Sequence, residues 1–397
     1  MIWTIIHIVD ILLWLIMAAS VMYVCFFSFV SLFYRKERSV KRGENKARFL
    51  ILYPAYHEDA VIVHSVSEFL RQEYPSDHFQ LIVISDHMTD DTNQQLRQLP
   101  ITLLTPVFDK SSKAKALQYA VESVKETDSY DHVVILDADN VVRTDFLSSL
   151  NDVCQQGYQA IQCHRCAKNS DNDIAILDGV SEEINNTIFR RAHNTIGMSS
   201  ALIGSGMCFN YTWFKQHVGQ LSSAVEDREM EALLMKEGIF IKFVNDIPVY
   251  DEKVSNSDNF QRQRLRWMTG QVQTLLLMLP YIPKAIIKGN INYIDKTIQQ
   301  ALIPRSILLV CTLTMALLLS ACVSVWCLKW WILFGLLSLS LLITLPAQLR
   351  SRTVFRRLTY VPRLVGHMLS NLFKIDHKNS DFIHTDHGNG ENEKFRQ

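Results

Sequence analysis

The chain has 397 residues, 48% of them hydrophobic, with 40 basic and 40 acidic side chains. A formal net charge of zero argues against a general nucleic-acid binder, because neutralising phosphates needs a basic excess. The length admits a catalytic domain with a full core and further segments beside it.

Residues 11–34 carry no charged side chain before Arg35 and are long enough to cross a bilayer as a helix. A signal peptide would show a basic start, a shorter apolar core and a small-residue cleavage site. Here Arg35, Lys36, Arg38, Lys41, Arg42, Lys46 and Arg48 crowd the far side. Residues 1–34 therefore read as a retained anchor and 35–48 as a basic juxtamembrane segment.

Residues 49–53 read as a buried strand, which Pro54-Ala55-Tyr56-His57-Glu58-Asp59 brings to an end. A helix is expected from Asp59, turning Val61, Val63, Val66 and Leu70 inward. Residues 81–85 form a second strand that ends on Asp86, with Asp90-Asp91 in the loop beyond, and 101–104 a weaker third. Lys113-Ala114-Lys115-Ala116-Leu117-Gln118 opens a strong helix. It leads to the strand Val133-Val134-Ile135-Leu136, which ends on Asp137-Ala138-Asp139.

Ligands of open α/β sheets bind beyond the carboxyl ends of the strands, and residues i and i+2 of an extended chain point the same way. Asp137 and Asp139 are thus placed to hold a hard cation, Mg²⁺ or Mn²⁺, beside substrate phosphates. An acidic turn is the rival explanation. Against it, acidic residues recur at successive strand ends, at Glu58, Asp86, Asp137 and Asp139. The alternation of strands and helices specifies an α/β fold with a parallel sheet and right-handed crossovers. Neither a Gly-x-Gly-x-x-Gly fingerprint nor a Walker sequence accompanies it.

Residues 158–162 and 207–210 look like further strands, with Gly204-Ser205-Gly206 as a permissive loop. Glu226-Asp227 starts a helix that Gly238 stops. Gln261-Arg262-Gln263-Arg264-Leu265-Arg266-Trp267 places three guanidinium groups, suited to phosphate, within about one and a half helical turns. Residues 275–303 are apolar but interrupted by Pro280, Pro283, Lys284, Lys288 and Asp295, so 268–305 reads as helices lying in the membrane interface. Residues 306–328 and 330–349 can each span and read as a hairpin turning at Lys329. Trp326, Trp330 and Trp331 cluster there, and Arg350, Arg352, Arg356 and Arg357 open a tail over 350–397. The positive-inside bias puts both basic segments in the cytoplasm, giving three spans and a cytosolic middle segment. The eight cysteines are scattered, and Cys163-x-x-Cys166 lacks the second ligand pair that a zinc site needs.

The order Pro54-Ala55-Tyr56-x-Glu58, Asp86, Lys113-Ala114-x-Ala116-Leu117, Asp137-x-Asp139, Glu226-Asp227 and Gln263-x-x-Arg266-Trp267 resembles the family 2 glycosyltransferases. The resemblance is to their membrane-embedded branch of cellulose, chitin, hyaluronan and poly-N-acetylglucosamine synthases, and it covers 49–267. It implies a GT-A fold and an inverting transfer from a UDP-sugar to a glycan or lipid-linked acceptor, at the cytoplasmic face of the inner membrane, in surface polysaccharide synthesis. By the same resemblance Pro54, Ala55, Tyr56 and Glu58 hold base and ribose, Asp86 reads the uracil edge and Lys113 cradles the nucleotide. Asp139 ligates the metal with Asp137 near the ribose and phosphate. Asp227, with Glu226 beside it, matches the catalytic base, and Gln263, Arg266 and Trp267 grip the diphosphate and line the acceptor site. His57 stands where the family often has Asn, and Ser112 where Gly precedes the lysine. A metal-dependent nucleotidyltransferase and a non-catalytic scaffold of the same fold are the alternatives.

Overall fold

The computed structural model describes residues 2–36, 45–170, 172–223, 225–254, 257–322, 325–346, 349–350 and 366. Helix α1 (Ile2–Ser31) precedes β1 (Phe49–Tyr56), α2 (Ile62–Phe69), β2 (Phe79–Asp86), α3 (Asp90–Arg97), β3 (Thr102–Leu104), α4 (Lys113–Ser123), β4 (His132–Ile135), β5 (Val141–Val142) and α5 (Phe146–Cys154). There follow β6 (Ala160–Ala167), α6 (Asp173–Asn185), a π-helical turn (Asn186–Arg191), α7 (Ala192–Thr195), β7 (Met207–Asn210), α8 (Tyr211–His217), α9 (Glu226–Glu237) and β8 (Ile241–Asp251). Helices α10 (Ser257–Met278), α11 (Ile282–Ile287), α12 (Ile291–Ala301), α13 (Arg305–Cys322) and α14 (Cys327–Thr344) close the order.

All eight strands join one sheet, in the order β3-β2-β1-β4-β7-β6-β8-β5. The apolar runs of β1, β2 and β4 are continuous because both faces are covered. Leu50, Leu52, Ile82, Ile84, Val133 and Ile135 pack on the face of α4 and α9, while Ile51, Tyr53, Val83, Val134 and Leu136 pack on the face of α2 and α5.

The expectation of a parallel sheet holds for the pairs among β1, β2, β3 and β4 and for β6 with β8. Strand β7 lies antiparallel to both β4 and β6, so the sheet is mixed. Direction leaves no mark on a short apolar strand, which is why the run 207–210 did not reveal it. Strand β1 also continues through Pro54 to Tyr56, pairing Pro54 with Ile84 and Tyr56 with Asp86. Its pairing with β4 ends at Leu52, so the proline's missing N–H falls where no ladder bond is required. Helix α2 starts at Ile62 rather than Asp59 and buries Ile62, Val66 and Phe69. Asp59 instead accepts hydrogen bonds from Thr89 N and Oγ1, at 2.8 and 2.7 Å.

Three helices, α1, α13 and α14, are long and apolar enough to cross a membrane. The first extends beyond the expected run to include Asp10, which accepts from Trp330 Nε1 at 2.8 Å and pairs with Lys329. The carboxylate is tolerated within the helix because it is paired. Lys329 lies in the first turn of α14 rather than between the two helices. These three helices pack together and onto α6 and the π-helical turn through Met17, Val24, Ile184, Ile188, Leu308 and Leu337. Arg38, Lys41, Arg42, Arg352, Arg356 and Arg357 lie outside the described residues.

A candidate active site at the strand ends

The parallel register that pairs Tyr56 with Asp86 brings the ends of β1 and β2 side by side. Just beyond each, His57 and His87 take positive φ of 53° and 57°. Histidine is among the non-glycine residues that tolerate this region, so both loops turn away sharply and leave the strand ends open. His87 Nδ1 donates to Asp86 Oδ1 at 2.6 Å, which fixes the buried carboxylate.

Helix α4 starts cleanly because Ser112 Oγ accepts the Lys115 N–H. Lys113, in its first turn, donates to Asp137 Oδ1 at 2.5 Å and to Gly204 O at 2.6 Å, and stands 3.3 Å from Glu226 Oε1. Burial opposes the ammonium charge, but Asp137 and then Glu226 overcome it and hold its pKa above the usual lysine range. Gly204 reaches the lysine with φ of 80°, a conformation that favours glycine. Asp137 N donates to Asn140 Oδ1 and Ser205 Oγ, at 3.0 and 3.1 Å. Asp139 is 3% exposed. Its Oδ1 accepts from Asn140 Nδ2 at 3.1 Å and its Oδ2 from Glu252 N at 2.6 Å.

The acidic start of α9 is not a side-chain cap: Val225 holds the N-cap position, and Glu226 is buried against Lys113. Burial pushes the Glu226 carboxyl up, Lys113 pulls it down and Asp227 adds to the rise, leaving it at about 7. Asp227 accepts the Arg228 N–H at 2.8 Å. On α10, burial lowers the pKa of Arg266, while Glu226, Asp137 and Asp227 act to raise it, so its guanidinium lies within electrostatic reach of all three. Trp267 carries the Arg264 guanidinium 4.5 Å from its ring centre.

Pro54, Ala55, Tyr56, Glu58, Asp86, Lys113, Asp137, Asp139, Glu226, Asp227, Gln263, Arg266 and Trp267 all line a single cavity of about 560 Å³. Residues from six separate stretches of the chain thus meet at one place. The sequence reading missed a charged layer on the wall of that cavity. Glu182 of α6 receives Arg165 at 3.0 Å, Arg190 at 3.3 Å and Lys253 at 3.6 Å. Burial disfavours the carboxylate, yet Arg165, Lys253 and Arg190 together hold its pKa well below the usual range. The one available signal was Arg165, a charge inside an otherwise mostly buried strand. All eight cysteines are free thiols.

The profile of the family described as "Glycosyltransferase like family 2" matches residues 47–270, more than half of the chain. No curated protein sequence matches. Among solved structures, the mannosyltransferase PcManGT from Pyrobaculum calidifontis, in complex with GDP-Man and Mn²⁺, is similar at a TM-score of 0.55 and 16% identity, covering 91% of this chain and 99% of that one. S. aureus TarS 1-349 in complex with UDP gives a TM-score of 0.38 at 14% identity, over 55% of this chain and 63% of that one. Glucosyl-3-phosphoglycerate synthase from Mycobacterium tuberculosis, with Mn²⁺, UDP and glucosyl-3-phosphoglycerate, gives 0.36 at 17% identity, over 53% and 74%. The first likeness shows the fold, a mixed α/β GT-A sheet with apolar helices near both ends. With the profile spanning every motif at the strand ends, the chain belongs to the family 2-like glycosyltransferases.

Proposed function

We propose that this glycosyltransferase belongs to the membrane-embedded branch of its family. It moves a sugar, with inversion, from a UDP-sugar to a glycan or lipid-linked acceptor at the cytoplasmic face of the inner membrane, in surface polysaccharide synthesis. The convergence of all thirteen motif residues on one cavity is the observation that supports it. Pro54, Ala55, Tyr56 and Glu58 hold base and ribose, and Asp86 reads the base edge. The acceptor hydroxyl gives its proton to the Asp227 carboxylate as its oxygen bonds to the anomeric carbon, while the bond to the diphosphate breaks on the opposite face. Lys113 and Arg266 present positive charge to the departing diphosphate, and Gln263 and Trp267 line the acceptor side.

The carboxylates fit a divalent ion, Mg²⁺ or Mn²⁺. Asp137 is 31% exposed at its side chain, and a carboxylate offers about four lone-pair sites. Asp139 stands two residues on and lines the same cavity. Such an ion supplies Lewis-acid neutralisation of the diphosphate when bound. The GDP-Man and Mn²⁺ of PcManGT support a nucleotide-sugar donor and a divalent metal. Purified protein given a panel of UDP- and GDP-sugars and a membrane lipid extract is expected to release nucleoside diphosphate. Pyrophosphate as the product would mark a nucleotidyltransferase instead, and absence of nucleotide binding would leave a scaffold.

A further inference from the structure

The cavity is lined not only by the motif residues but also by apolar side chains of the candidate spans, Val24 of α1, Leu309 of α13 and Leu341 of α14. Two further arginines line it. Arg264 of α10 rests on Phe260 and Trp267, at 4.7 and 4.5 Å, and its Nη2 donates to Asp178. Arg305, the first residue of α13, donates Nη2 to Asn185 Oδ1 at 2.7 Å and to Ser181 O at 3.2 Å.

Both keep capacity in reserve. Arg264 Nε and Arg305 Nη1 are buried and have no hydrogen-bond partner among the described residues. Arg305 has no carboxylate in ion-pair contact among the described residues either; Asp178 pairs with Arg264, and Glu182 already receives three cations. The Arg264 charge acts repulsively on Arg305. Two guanidinium groups that line one cavity, each with a buried donor unused, are a poor arrangement for the protein alone. An anion between them would accept both donors and relieve the repulsion, and guanidinium geometry matches phosphate oxygens.

Position narrows the anion. It would sit where the polar cavity meets apolar side chains of three spanning helices, so a ligand with a phosphate joined to a long apolar group fits both walls. We propose that Arg264 and Arg305 bind the phosphate of a lipid-linked acceptor, its apolar chain lying along α1, α13 and α14 and its sugar reaching toward Asp227. This rests on the glycosyltransferase reading above and narrows the acceptor to a phosphorylated lipid rather than a free glycan.

Binding of a C55 polyprenyl phosphate and of the phosphate-free C55 polyprenol, measured on the full chain in detergent, tests it. The wild type is expected to hold the phosphate at least tenfold more tightly than the alcohol. Arg305→Gln is expected to erase that preference, Arg305→Lys to restore part of it, and UDP affinity to stay at the wild-type value in both. Equal binding of phosphate and alcohol by the wild type overturns the site without any variant. Loss of UDP affinity in step with lipid affinity also overturns it, since the arginines would then serve the donor. Nucleoside diphosphate release from the sugar nucleotide panel is scored separately. Release without a phosphate preference removes the lipid site and keeps the enzyme, while a preference without release removes the enzyme and keeps the site.

Discussion

Two adjacent carboxylates on α9 occupy different environments. Glu226 is 6% exposed and faces Lys113, whereas Asp227 borders the cavity at Gly204, where an added Cβ would lie 3.5 Å from Asp227 Oδ2. Asp227→Asn is expected to lower turnover by roughly a hundredfold or more with UDP affinity near wild type, and Glu226→Gln to cost less. Turnover and donor titration on both variants check this; normal turnover in Asp227→Asn removes it as the base. Glu226 also sets a pH dependence. Its carboxyl titrates at about 7 in the folded protein against 4.5 ordinarily, so the folded state holds the proton more tightly between those values. The stability it contributes is full below about 4.5 and is lost as pH rises through 7. The fall in melting temperature from pH 5 to pH 8 should be smaller in Glu226→Gln than in wild type, and equal falls would contradict the assignment. The dipeptide Glu226-Asp227 was visible in the sequence, but its unequal burial was not, because that depends on Lys113 arriving from α4.

At the level of elements, the acidic strand ends were legible because β2 ends on Asp86 and the apolar strands β1 and β4 are each followed two residues later by a carboxylate, Glu58 and Asp137. The strand through Pro54 and the antiparallel β7 were not, since each depends on which neighbour pairs with which edge. Arg264 was visible as one of three guanidinium groups in 261–267, but its placing with Arg305 on one cavity was not, because their surroundings come from α6, α10 and α13. The seat of α10 on the start of α9 is equally a tertiary fact. A Cβ added at Gly270 would fall well inside contact distance of both Val225 methyl groups. Valine has no flexible end with which to yield. Gly270→Ala is therefore expected to displace Glu226-Asp227 relative to Arg266 and cut turnover by about tenfold or more, a position-sensitive loss of the kind expected in catalysis. Val225→Ala in the same chain should recover much of it. A Gly270→Ala enzyme with wild-type kinetics would show that the two helices adjust freely.

For the whole molecule, the geometry joins a cavity at strand ends to three apolar helices. Asp10, Lys329 and Trp330 tie the start of α1 to the start of α14, placing the N-terminal end and the hairpin turn at one end of the bundle. A reporter inserted at Lys329 is expected to score external and one fused after Arg48 cytoplasmic. An external Arg48 would separate the site from cytosolic nucleotide sugars. On the proposed function, these strand-end carboxylates form one metal-dependent site for a nucleotide sugar. Nucleoside diphosphate release by wild type and by Asp139→Asn, each with chelator and with added Mg²⁺ or Mn²⁺, tests it most directly. Wild type should fall to background in chelator and recover with metal, and Asp139→Asn should stay at background throughout. Full release in chelator, or an Asp139→Asn variant as active as wild type, would contradict it.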